Sequence, residues 1–340
     1  MPTVAADEQW AASMDRDTTN ARRLAFWFIA ASTVAVFALI PFTKVRFSWV
    51  DLGGFLGFLT AATLFCVFCW RRGMHSLAPA LEAVIMGLFL TIPVLIATYL
   101  AASFDLPMAD DVLVRADQAM GFDWQSFIGF VDAHSLLARV MARAYSSFAP
   151  QLLAIPLLLA VVGRYERAYK LILCYGIVCY ISSIVSIWFP ALGTYVVYGV
   201  PQDHLRNINA HYGFAFIPDF TAVRAATSFS LSFNNASGIV TFPSVHAAAA
   251  SLCAWAAWEV RPARYAFAGW NVLMAASAIS HANHYLVDVL AGIAIAVLSV
   301  LMVNYSLYWM SRAKWQMPWP FPAGEGAGMR PAAGGTLGSR

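Results

Sequence analysis

YLVDVLAGIAIAVLSVLMVNYSLYW, residues 285–309, decides the fold class. A bilayer crossing needs about 20 mostly apolar residues in a helix. This run meets that length, with a single carboxylate, Asp288, near its start. Working outward, comparable runs recur at roughly 24–42, 51–70, 83–103, 147–163, 170–189, 244–260 and 265–281. The composition agrees: 60% of the 340 residues are apolar, 11% are charged, and the mean hydropathy is +0.65. A soluble domain carries about 25% charged residues. So apolar a chain is neither a soluble globule nor a disordered one. The expected fold is all-α, a polytopic membrane helical bundle of about eight transmembrane helices.

The remaining composition narrows the function. A net charge of +3 gives no case for a nucleic-acid partner. All five cysteines lie in apolar stretches, so Cys66 and Cys69, although spaced C-x-x-C, read as packing residues rather than a metal or redox site. The sixth span is rich in small residues, Ala247 to Ala250 among them, which suits close helix contact inside a bundle. Residues 1–23 are polar and read as a cytoplasmic segment. No small-residue cleavage site follows the first span, so it is read as retained. The tail over 311–340 is rich in Pro, Gly and Ala and reads as disordered.

Lys and Arg in the short connections set the orientation. Arg16, Arg22 and Arg23, Arg71 and Arg72, Arg164 and Arg167, Arg261 and Arg264, and Arg312 with Lys314 all fall at one side of an eight-span path. That side is expected to be cytoplasmic. The other side receives an acidic loop, 104–146, and a long loop, 190–243. Within the first, Asp110 to Ala119 and Trp124 to Arg143 show helical periodicity and are expected as short interfacial helices. The Gly- and Ala-rich composition fits a bacterial inner membrane.

Histidine marks the chemistry. His75 and His134 sit in connections and are given no role; the other five lie between 204 and 284. His246 stands in Phe242-Pro243-Ser244-Val245-His246, which ends the long outer loop and opens the sixth span. A helix start offers free N–H groups to an anion, and Ser244 reads as N-cap or phosphate donor. His284 and Asp288 are four residues apart, hence on one face of the eighth span. An ionisable group at that depth is costly and usually has a partner and a task. A carboxylate on one imidazole nitrogen makes the other a better nucleophile or base. The charge-derived topology puts both places on the outer side. Tyr145, Gln151 and Tyr195 are candidates to line a pocket there.

FPSVH resembles the P-S-x-H motif of the type 2 phosphatidic acid phosphatase superfamily, and HYLVD resembles its H-x-x-x-D motif, in the same order and separation. The surrounding GIVTFPSVHAA and NHYLVDVLAG, with MGFDW at 120–124 and FPALGTYV at 189–196, are similar to the branch that includes inositol phosphorylceramide synthases. The resemblance covers roughly 83–310 and implies a six-helix core, with residues 24–82 an added N-terminal pair. It implies that His284 attacks phosphorus, that Asp288 orients it, and that His246 protonates the leaving group and then activates water or an alcohol. It implies a lipid phosphate or phospholipid substrate, a lipid phosphatase or inositolphosphotransferase-like activity on sphingolipid or phospholipid head groups, and no metal or other cofactor. The superfamily's K-x6-R-P motif has no counterpart, and Ser277-Ala278 stand where Ser-Arg is usual. The outer side offers Arg206 and Arg224 in the long loop and Arg139 and Arg143 near the fourth span; Arg224 is expected to bind the phosphate beside Ser244, because the stretch before GIVTFPS resembles Leu-Arg-x-Gly of that branch. The competing expectation is a transporter or scaffold whose His/Asp pair relays protons or locks helices.

Overall fold

The computed structural model describes residues 16–74, 77–201, 203–233, 236–313 and 317. His75, most of the N-terminal segment 1–23 and the tail from Lys314, Met317 apart, lie outside the described residues.

Helices form at every expected span, because apolar runs in a membrane leave the backbone no other way to pair its N–H and C=O groups. The first three are α1 (Arg16–Leu39), α2 (Trp49–Arg71) and α3 (Leu77–Ala102). The acidic loop then forms α4 (Asp110–Ala119), α5 (Trp124–Ala133) and α6 (Ser135–Ser146). The bundle resumes with α7 (Phe148–Val161) and α8 (Tyr165–Trp188). The long outer loop carries the short α9 (Thr194–Val197), α10 (His211–Ala215) and α11 (Ile217–Ala225). The chain closes with α12 (Val245–Ala257), α13 (Arg264–His281) and α14 (Leu286–Arg312).

Among the described residues, α1, α2, α3, α8 and α14 are long and apolar enough to cross a membrane. A sixth span is made if α6 and α7, bent by 58° at Ser147, count as one. The expected number of eight therefore becomes five or six on length and composition. At about 1.5 Å per residue, the 13-residue α12 is far shorter than the hydrocarbon core. It is instead wrapped by α8, α13 and α14 through its buried alanines. The expected interfacial helix over 124–143 also differs. It breaks at His134, and its second half, α6, packs along α13 through Ala138, Met141 and Ala144. Its apolar stripe is thus buried against protein rather than laid on lipid.

Helix α8 is the hub, touching α1, α3, α7, α12 and α14. The core there is built from Leu171, Ile172, Cys174 and Val178 with Leu252, Cys253 and Ala296. All five cysteines are free and buried. The basic connections gather at one end of the bundle. Arg22 pairs with Glu82, Arg167 with the Trp255 carbonyl and Glu259, and Lys170 with Asn304. The starts of α12 and α14 lie at the opposite end.

The N-terminal pair is woven into that opposite end. Its connection forms β1 (Val45–Phe47), which pairs in parallel with β2 (Phe229–Leu231) of the long outer loop. Lys44 Nζ donates to the Arg224 carbonyl at 2.6 Å, and Ser232 Oγ to Asp51 at 2.9 Å. Phe220, Val223, Leu231 and Ile239 then share a core with Ile96, Tyr99 and Leu52. The loop before FPSVH is therefore held as a roof.

Candidate active site

The two motifs meet at the starts of α12 and α14. Ser244 caps α12, its hydroxyl accepting from the Ala247 N–H at 3.3 Å. The Ser244 N–H in turn donates to the Asp288 carbonyl at 3.1 Å. That bond needs the two helices nearly touching, and Gly292 allows it. A Cβ there would lie 2.2 Å from the Ser244 carbonyl oxygen.

His284 Nδ1 lies 3.1 Å from Asp288 Oδ2, with His284 6% exposed and Asp288 fully buried. The same oxygen accepts the Tyr285 N–H at 3.0 Å. The other, Oδ1, is buried without a hydrogen-bond partner. Burial pushes the His284 imidazole below its ordinary value, against a hydrogen bond to the Thr241 backbone that acts the other way. The ring is therefore neutral near pH 7, with Nδ1 turned to the carboxylate.

His246 and His284 both line one cavity of about 440 Å³. Its walls come from α3, α6, α7 and α8, and residues 237–241 close it from the loop side. The bend between α6 and α7 brings Tyr145 and Phe148 onto the His246 ring, each with its centroid 4.4 Å away and Tyr145 nearly parallel. Such packing restricts the imidazole to one orientation. Of the three tyrosine and glutamine candidates, Tyr145 lines the cavity. Gln151 is instead bonded to Asn271 at 2.9 Å, and Tyr195 to the Ser280 carbonyl.

Two phosphate-binding expectations fare differently from the histidines. Ser244 is buried and serves as N-cap, and it is not among the residues lining the cavity. The structure does not bring Arg224 to the cavity either. Its guanidinium pairs with Asp105 at 3.0 Å and donates to the Leu106 carbonyl at 2.7 Å. The reason is the β1–β2 pairing, which fixes the end of α11 against the N-terminal connection. Among the described residues lining the cavity there is no Lys or Arg. No group of three His, Cys, Asp or Glu side chains among the described residues has a metal-holding arrangement.

A family profile described as the PAP2 superfamily matches residues 111–302, more than half of the chain. The chain belongs to the PAP2 superfamily. Searches of curated proteins and of solved structures find no match. The matched stretch contains both motifs and every helix from α5 to α13. PAP2 membership and the apolar helices together point to a membrane protein with phosphatase-type activity. The assignment to the inositolphosphotransferase-like branch is finer than this match.

Sequence reading did not reach Tyr145 and Phe148 as partners of His246, nor Asn283. The Asn283 side chain accepts the Tyr195 N–H at 2.7 Å and donates to the Gly213 carbonyl at 2.8 Å, fixing the turn before His284. Gly193 lies against that turn with φ of 87°; a Cβ would be 2.2 Å from the Asn283 carbonyl oxygen. No local signal marks these contacts. Only the repeated polar residues of NHYLVD hinted that the turn is bonded on several sides.

Proposed function

We propose that this protein is an integral-membrane lipid phosphatase or phosphotransferase that works through a phosphohistidine at the outer membrane face. The observation that carries the reading is the His284–Asp288 contact at 3.1 Å on a cavity that His246 also lines. In the first step His284 Nε2 forms a bond to phosphorus, and the bond from phosphorus to the leaving oxygen breaks. His246, once protonated beside the anionic substrate, delivers its proton to that oxygen. In the second step neutral His246 takes a proton from water or an alcohol. The new oxygen–phosphorus bond forms and the nitrogen–phosphorus bond breaks. Asp288 balances the charge that grows on His284 in both steps.

The transferase form has one observation in its favour. The described lining offers no Lys or Arg to a bound phosphate. Burying a dianionic monoester without a cation costs more than burying a singly charged diester. A phosphodiester head group passed to an alcohol acceptor, inositol or ceramide-type, suits that lining better than a free lipid phosphate.

The test is phosphate release and head-group exchange from phosphatidate, lipid diphosphate and inositol lipids, with wild type beside His284→Ala. Phosphate release lost in the variant establishes the hydrolase. Exchange without free phosphate, also lost, establishes the transferase. Equal behaviour of the two proteins removes the phosphohistidine and returns the His/Asp pair to a proton-relay or structural role.

A further inference from the structure

Outside the two motifs, the start of α14 is held by two buried carboxylates from a single surface helix. Asp110 and Asp117 stand seven residues apart on α4, two helical turns, and so face the same way. They are 7% and 1% exposed. Asp117 accepts the Leu286 N–H on Oδ2 and the Val287 N–H on Oδ1, both at 2.9 Å. These are the first two amides of α14, which have no acceptor inside their own helix. Asp110 Oδ1 accepts the Tyr285 hydroxyl at 2.9 Å and the Gly193 N–H at 2.8 Å, and its Oδ2 accepts the Leu192 N–H at 3.0 Å. Together with Asp288, which takes the Tyr285 N–H, carboxylates hold every backbone N–H from 285 to 287.

We propose that α4, through Asp110 and Asp117, is the positioning element that sets the geometry of the His284–Asp288 pair. The inference rests on the phosphohistidine reading of that pair. The bonds converge on the three residues between His284 and Asp288, the only covalent path that fixes their separation. An ordinary cap would need one exposed Ser or Asp. Placing two buried carboxyl groups beside a third is a costly way merely to start a helix, and burial pushes the Asp117 carboxyl up, opposed by its two N–H bonds. The same clamp reaches His246, because the Asp288 carbonyl receives the Ser244 N–H that starts α12. Neither aspartate lines the cavity, so both act through the turn rather than on substrate.

The test uses full-length Asp117→Asn, Asp117→Ala, Asp110→Asn and Tyr285→Phe. Each is purified in lipid nanodiscs and assayed on phosphatidate and phosphatidylinositol. In parallel, acylation of His284 by diethyl pyrocarbonate is timed by peptide mass spectrometry, with exposed His204 and His211 as internal references. Displacing a reacting group by about 1 Å costs on the order of 100-fold. The Asp117→Asn protein should therefore lose about 10-fold or more in kcat per folded molecule with KM within about 2-fold. Its His284 acylation rate should change while His204 and His211 do not. Asn keeps one acceptor, so it should fall between wild type and Ala. If kcat per folded molecule and His284 acylation match wild type in Asp117→Asn and Asp110→Asn, and only melting temperature falls, the two aspartates are plain helix caps and the proposal is overturned. Full turnover in His284→Ala would instead remove the phosphohistidine, and the acylation rates would still decide the positioning claim.

Discussion

His284 and Asp288 illustrate how burial sets chemistry at a single residue. Removed from water, the imidazole is held below its ordinary value of about 6.5. As pH falls, a nucleophilic histidine loses activity only when it takes up a proton, and here that uptake is displaced downward. The acid limb of kcat/KM is therefore expected below the ordinary histidine range, and a limb at or above about 6.5 would contradict it. Asp288 accepts from both His284 and Tyr285, so Asp288→Asn puts a donor where an acceptor is required. A loss of at least about 100-fold in kcat with little change in KM is expected from steady-state assays. Arg224 gives the opposite expectation. With its guanidinium held by Asp105 and Leu106 at the far side of the roof, Arg224→Ala should change kcat/KM by less than about 3-fold. A larger loss would return it to the phosphate.

Between elements, the closest approach decides the site. Helices α12 and α14 bring the two motifs together only because residue 292 has no side chain. Gly292→Ala drives a methyl into the Ser244 backbone, which no rotamer change relieves. Overpacking of this kind costs about 1–3 kcal/mol. The variant should melt several degrees lower and lose kcat in parallel, because the start of α12 carries His246. A melting temperature and kcat equal to wild type would show that α12 is free to slide. The broken helix pair α6–α7 plays the matching part on the other side of His246. Its bend aims Tyr145 and Phe148, three residues apart, at one imidazole. The outer loop is held in turn by β1–β2 and by the core shared with α3, so the N-terminal pair supports the roof of the cavity rather than standing apart from it.

Over the whole molecule, the Arg and Lys of the short connections collect at one end and the two motifs at the other. Exposed Phe58, Phe65, Phe68, Leu298 and Leu301 face outward from α2 and α14, as lipid-facing surfaces do. Binding at the cavity should stabilise the entire bundle, because its walls come from α3, α6, α7 and α8 together. Vanadate resembles phosphorus with five oxygens around it. At 100 times its Kd, vanadate should add about 2.7 kcal/mol of stability. Thermal melts should show that gain in wild type, not in His284→Ala, and not with sulfate. Equal protection by both anions would indicate a general salt effect.

The sequence by itself determined the membrane class and the places of the helices, and it singled out His246, His284 and Asp288, which the fold brings to one end of the bundle. Each of those signals is local. An apolar run must become a helix in lipid, a Ser before a helix must cap it, and residues four apart on a helix must share a face. The number of helices that can cross a membrane, the placement of Arg224 and the partners of His246 and of the His284–Asp288 pair were decided only by tertiary structure. Asp117 and Leu286 are 169 residues apart in the chain, and Tyr145 and His246 are separated by the whole outer loop. Such contacts depend on how helices pack, on a 58° bend and on one missing side chain at Gly292. No pattern of spacing encodes them, because packing selects among many pairings that the same local periodicity allows.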